Sequence, residues 1–308
     1  MKVVLFPGQG SQKAGMASEF QSNFKIVKEI FQRVDDALKF NLSKIILDGS
    51  DEQLKKTEIT QPAILTTSIA IFSVLKQEFN FDLTKIKFIA GHSLGEYSAL
   101  VASGSITLED GVTLVHERGK LMQSAVPEGK GAMLAVMGLE LSELSSLIKK
   151  FNAKKGICEI ANDNSPGQII LSGDKETLVS FNQNLKKEKK RSIFLPVSAP
   201  FHCSLMKPAA ESMKLFLEKI NFQKPNLQII SNVTALPVEE YGLIKDLLYK
   251  QIFSQVRWRE TVEFMIKNNV NDFIEIGPGK VLSGLVKRTN DKVLTRSLTK
   301  IDDIKNLQ

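Results

Sequence analysis

Cysteine is almost absent. Two residues, Cys158 and Cys203, stand in a chain of 308, far apart and with no partner at C-x-x-C spacing, which excludes a disulfide framework and points to reduced thiols. Neither belongs to a ligand cluster with metal-binding spacing, so no structural metal is expected. No apolar run approaches the length of a membrane span, and the opening MKVVLFPGQG lacks the n-region, h-region and cleavage site of a signal peptide. The expectation is a soluble, cytoplasmic, monomeric protein that does not act at a membrane. Internal repeats and low-complexity linkers are also lacking. What is present is ordinary globular composition, 43 % apolar and 24 % charged residues, enough for one large domain carrying a smaller one. The net charge of +7 raises the question of nucleic acid. Its sources, KKFNAKK, KKEKKR and the lysine-rich tail, have no interleaved aromatics and match no nucleic-acid module. A solvated surface accounts for most of it, and a basic face also steers an acidic or phosphorylated partner.

Strand-like and helical patterns alternate through the first third: KVVLFPG, helices over about 22–39 and 61–79, then KFIAG and a further helix. That alternation predicts a parallel sheet covered by helices. From about Lys130 to Ser198 the order becomes β-α-β-β-α-β, the ferredoxin-like arrangement. The chain then returns to the larger unit with LQIISNV, a helix through LIKDLLYKQIF and a last strand, NDFIEIGPG.

The stretch FIAGHSLGEYSAL, Phe88 to Leu100, carries a buried-strand pattern straight into Gly-His-Ser-Leu-Gly and on into a helix. Such a strand-turn-helix holds Ser93 at a strained corner with its hydroxyl exposed, the geometry of a nucleophile elbow. The alternative is a Gly-rich connection that happens to contain a serine, but the flanking patterns favour the elbow. A serine nucleophile needs a base, usually histidine, and the chain has three. His92 is adjacent to Ser93, where neighbouring side chains diverge. His116 lies on a helix. His202, in VSAPFHCSLMKPAA, sits at a loop-to-helix corner and is the favoured partner, with His92 the next candidate. No acid before His202 occupies an obvious orienting position, so a backbone carbonyl is a candidate for that part.

Three further stretches have a bland and a functional reading. FPGQGSQ is a βα turn, or a pair of amides, Gln9 N–H and Leu94 N–H, forming an oxyanion hole. Arg118 is a solvated helical arginine or, buried near Ser93, a fork for a carboxylate. Asn162 and Asn164 shape a turn, or also touch substrate.

Taken together, FPGQGSQ, GHSLGEYSAL, ERGKLMQ, NSPGQIILSG, PFHCSLMKPA, KQIFSQVRW and EIGPGKVLSGL resemble the malonyl-CoA:acyl-carrier-protein transacylase family, in the same order from about residue 3 to 290. The resemblance implies an α/β-hydrolase-like core with a mostly parallel sheet, residues 1–129 and 199–308, and an inserted ferredoxin-like subdomain, residues 130–198. It implies that Ser93 is acylated, that His202 is its base, that Gln9 and Leu94 supply oxyanion amides, and that Arg118 holds the malonyl carboxylate. It further implies that Gln251 orients the histidine through its carbonyl and that His92 lines the site. Phe201, before the histidine, goes with malonyl over methylmalonyl in related acyltransferase domains. The implied substrates are malonyl-CoA and the phosphopantetheine thiol of a carrier protein, in fatty-acid synthesis, with no cofactor and no metal. The stand-alone length points to a discrete enzyme. The rival readings are a serine esterase or thioesterase using the same pair, and an inert carrier-binding scaffold.

Overall fold

The computed structural model describes residues 1–152, 156–197 and 199–307. Ser198, the expected subdomain boundary, and Lys154 and Lys155 of the basic stretch lie outside the described residues. Among the described residues nine strands run in chain order: β1 (Lys2–Phe6), β2 (Ile86–Gly91), β3 (Gly131–Met137), β4 (Cys158–Ser165), β5 (Gln168–Asp174), β6 (Arg191–Phe194), β7 (Ile229–Ile230), β8 (Asp272–Ile276) and β9 (Leu294–Leu298). They form a five-stranded sheet in the order β7-β2-β1-β8-β9 and a four-stranded sheet in the order β4-β5-β3-β6. The first is parallel at every pairing; the second is antiparallel.

The central strands are apolar on both sides because both sides are covered. Val4, Phe6 and Ile89 enter the larger core cluster, while Val3, Leu5, Phe88 and Ala90 alternate into the cluster on the other face. The smaller sheet has its own core, with Leu134, Val136, Leu171 and Phe181. The opposite face of β3, Met133 and Ala135, packs into the large cluster, so the two sheets share an apolar boundary. A parallel bridge between Asn162 and Val256 and the ion pair of Arg259 with buried Asp163 at 2.9 Å tie β4 to the larger unit.

The α/β class and both sheets agree with the sequence reading; several elements do not. The helix expected over 22–39 is two, Ser18–Asn23 and Lys25–Leu38, broken where Phe24 turns extended. The helix expected from 61 starts at Thr57 and takes Pro62 inside it. That helix also corrects the reading that no segment approaches a membrane span. Its 21 residues are long and apolar enough, yet 83 % of its most apolar window is buried inside the protein. It is a core helix. The strand expected across LQIISNV shortens to two residues, and β9 has no clear strand signal in the sequence, being an edge strand of half-buried, polar-rich LTRSL.

Candidate active site

The chain leaves β2 at Gly91 and enters the helix Gly95–Ala102 through a corner where Ser93 has φ 53°. A non-glycine residue in the left-handed region is costly and marks a position the surroundings over-determine. The close approach is what the two glycines permit. A Cβ on Gly91 would lie 1.9 Å from the carbonyl of Gly95, and one on Gly95 would lie 2.2 Å from the Phe6 oxygen. Asn232, just past β7, locks the corner from the side. Its Oδ1 accepts from the Ser93 N–H at 2.7 Å and its Nδ2 donates to the Gly91 oxygen at 2.7 Å.

His202 also sits at a left-handed corner, φ 60°, ahead of the helix Lys207–Lys219. Its Nε2 is 2.8 Å from the Ser93 hydroxyl and its Nδ1 is 2.9 Å from the Gln251 carbonyl oxygen. A carbonyl only accepts, so Nδ1 carries the proton and Nε2 is left free to accept from the serine. Burial, reinforced by the Arg118 charge, pushes the imidazole down to about 3, which keeps it neutral and able to take a proton. The other histidines are engaged elsewhere. His92 Nε2 meets Asn164 Oδ1 at 2.9 Å and its ring lies edge-on to Trp258. His116 Nδ1 meets the Glu58 oxygen at 2.8 Å.

Arg118, on the helix Leu108–Ser124, is 1 % exposed. Nη2 donates to the Ser93 hydroxyl at 3.1 Å and to Gln251 Oε1 at 2.9 Å, while Nη1 donates to Gln61 Oε1 at 2.8 Å. All three partners are neutral, the guanidinium lies 5.6 Å over the Tyr97 ring, and its Nε–H has no hydrogen-bond partner among the described residues. A fully buried guanidinium whose bonded partners carry no negative charge is expensive to maintain, and its burial lowers its proton affinity. The Ser93 hydroxyl is therefore touched by an imidazole on one side and by a guanidinium on the other.

The turn after β1 abuts the same corner: a Cβ on Gly8 would fall 2.7 Å from the His92 oxygen. Gln9 follows it and lines a cavity of about 480 Å³ with Lys55, Lys175, Phe194 and Val197. Leu94, 1 % exposed, begins the turn into the helix. Phe201 is 8 % exposed and packs in the large core beside the histidine corner. Asn162, 5 % exposed, makes no side-chain hydrogen bond among the described residues; Asn164 is the one that reaches the elbow.

Against known families, the acyl transferase domain matches residues 3–306. The malonyl CoA-acyl carrier protein transacylase of Bacillus subtilis is 44 % identical over 293 residues, covering 94 % of this chain and 91 % of that protein. The chain belongs to the malonyl-CoA:acyl-carrier-protein transacylase family. It is an acyltransferase. The solved transacylase of Clostridium perfringens superposes with a TM-score of 0.94 at 42 % identity, over 99 % of this chain and 95 % of that one. A second structure, of a malonyl-transacylase in complex with a type II polyketide acyl-carrier protein, gives 0.94 at 39 % identity, over 99 % and 98 %.

Within this family member, sequence reasoning passed over four contributors. Asn232 pins the elbow, Gln61 holds Arg118, and the side chain of Gln251 bridges Arg118 to Glu96. Glu96 itself is 3 % exposed, although it lies inside the quoted elbow motif. A polar residue on the inward side of a buried helix was the available signal for Glu96; Asn232, 139 residues from Ser93, had none.

Proposed function

We propose that the chain moves a malonyl group from malonyl-CoA to the phosphopantetheine thiol of an acyl carrier protein through a malonyl-Ser93 ester, supplying fatty-acid elongation. The observation that carries this reading is the double contact on one hydroxyl, His202 Nε2 at 2.8 Å and Arg118 Nη2 at 3.1 Å. In the first half-reaction Ser93 Oγ attacks the thioester carbon as His202 takes its proton, and the Gln9 and Leu94 amides receive the oxyanion. Collapse expels coenzyme A as its thiol, protonated by His202. The malonyl carboxylate is held by Arg118, beside Phe201, His92 and Asn162. The carrier thiol then gives its proton to His202 and attacks the ester, regenerating Ser93. Every step draws on side chains and amides of the chain, in a ping-pong scheme. The same reading takes the protein as a monomer of the cytoplasm, in keeping with two buried cysteines that form no disulfide among the described residues.

The test is intact mass after incubation with malonyl-CoA. Wild type gains one malonyl group, Ser93→Ala gains none, and added holo-carrier discharges the adduct onto its thiol. Discharge to water at the same rate with and without carrier would make the protein a thioesterase, and the absence of an adduct would remove the serine mechanism.

A further inference from the structure

Arg118 has no carboxylate within ion-pair distance among the described residues, yet a buried carboxylate stands one amide away. Gln251 Oε1 accepts from Arg118 Nη2 at 2.9 Å, and Gln251 Nε2 donates to Glu96 Oε2 at 2.7 Å and to the Ser93 oxygen at 3.0 Å. A guanidinium can only donate and a carboxylate can only accept, so the Gln251 amide has one allowed orientation. Glu96 Oε2 also accepts the Asn232 N–H at 3.1 Å, the residue that pins the nucleophile. Glu96 lies three residues beyond Ser93, in the first turn of the helix Gly95–Ala102.

We propose that Glu96 is a positioning residue and counter-charge for Arg118, held off the guanidinium by the Gln251 amide so that no carboxylate of the protein takes the N–H groups left for the acyl carboxylate. The inference rests on the malonyl reading of the site. Without a counter-charge, a buried Arg118 would impose its full field on the empty site; with a carboxylate in direct contact, the fork would be filled. A spacer avoids both. The arrangement has a cost in selectivity, because the incoming carboxylate meets a second negative charge behind the cation. The groups that act on Glu96 from the elements around it are Arg118 on its helix, Tyr97 on Glu96's own helix, and the neutral Gln251, Ser231 and Asn232. Burial, opposed by these hydrogen bonds and by Arg118, raises the Glu96 carboxyl to about 7.

The sign follows directly. A protonated Glu96 repels the malonyl carboxylate less, so the ratio of kcat/KM for malonyl-CoA to that for acetyl-CoA rises as pH falls through about 7. In Glu96→Gln the repulsion is absent at every pH, so the ratio is raised and flat. For an effective dielectric near 20 and a separation on the order of 8 Å, the increase at pH 8 is about threefold to thirtyfold. Acetyl-CoA, without the carboxylate, serves as the internal control for damage to the elbow. Equal losses for both substrates in Glu96→Gln, or an unchanged ratio, would overturn the proposal. In the wild type the ratio is expected to rise as pH falls, and a pH dependence of the ratio that is the same in wild type and Glu96→Gln overturns the proposal as well. If wild type shows no malonyl transfer at all, the malonyl reading fails first, a result distinct from transfer whose ratio ignores Glu96.

Discussion

Arg118 concentrates more of the chemistry than any other side chain. Its guanidinium is buried, donates to the Ser93 hydroxyl and has no carboxylate within ion-pair distance among the described residues, so under the proposed function it has the field and an unpaired Nε–H with which to read a carboxylate. Charge-assisted hydrogen bonds contribute roughly 1.5–3 kcal/mol each, so Arg118→Ala is expected to lower kcat/KM for malonyl-CoA by about one to several orders of magnitude. Acetyl-CoA leaves the guanidinium unpaired in the wild type, so its rate is expected to hold or rise in the variant. Arg118→Lys restores only part of the malonyl rate, because an ammonium has no planar fork. Equal loss for both thioesters would make Arg118 a support for the Ser93–His202 pair and not a reader of the acyl group.

At the scale of the element, the elbow works because strand and helix are packed closer than side chains allow. Gly91→Ala would put a Cβ 1.9 Å from the Gly95 carbonyl and 2.5 Å from the Glu96 nitrogen, contacts with backbone that no rotamer change relieves. Overpacking of this kind costs about 1–3 kcal/mol or more. The expected outcome is a lower denaturation midpoint together with loss of malonyl labelling at Ser93; labelling at the wild-type rate would show that the corner relaxes freely. The elbow was legible because its requirements are local: apolar strand, two glycines around a serine, helical spacing beyond. Elements shaped by distant contacts were less so. The break at Phe24 has no proline or glycine to announce it, and β9 is held at the sheet edge by pairing with β8 in spite of its polar, only half-buried sequence.

At the scale of the whole molecule, the net charge of +7 favours the approach of an acidic partner, and the proposed acceptor is tested on that point. Transfer to the carrier is expected to slow as added salt shortens the screening length from about 30 to about 8 Å. Transfer to free pantetheine, which is uncharged, should hardly respond. Measured side by side, equal salt dependence of the two acceptors would remove long-range steering from the account.

The sequence by itself determined the α/β class, the two-sheet organisation, the elbow at Ser93 and the short list of histidines, because each depends on periodicity, on glycine sterics or on the scarcity of a residue type along the chain. The sequence and its family resemblance named His202, Arg118 and the Gln251 carbonyl as neighbours of Ser93; only the tertiary structure decided their geometry and the side chains that hold them. His202, 109 residues away, meets Ser93 through a second left-handed corner. Gln251 reaches the histidine with its backbone and Arg118 and Glu96 with its side chain. Asn232 arrives from the end of a two-residue strand. No local pattern encodes these meetings, since a buried polar group takes as partner whichever donor or acceptor the packed sheets bring to it, and an unpaired one is too costly to leave.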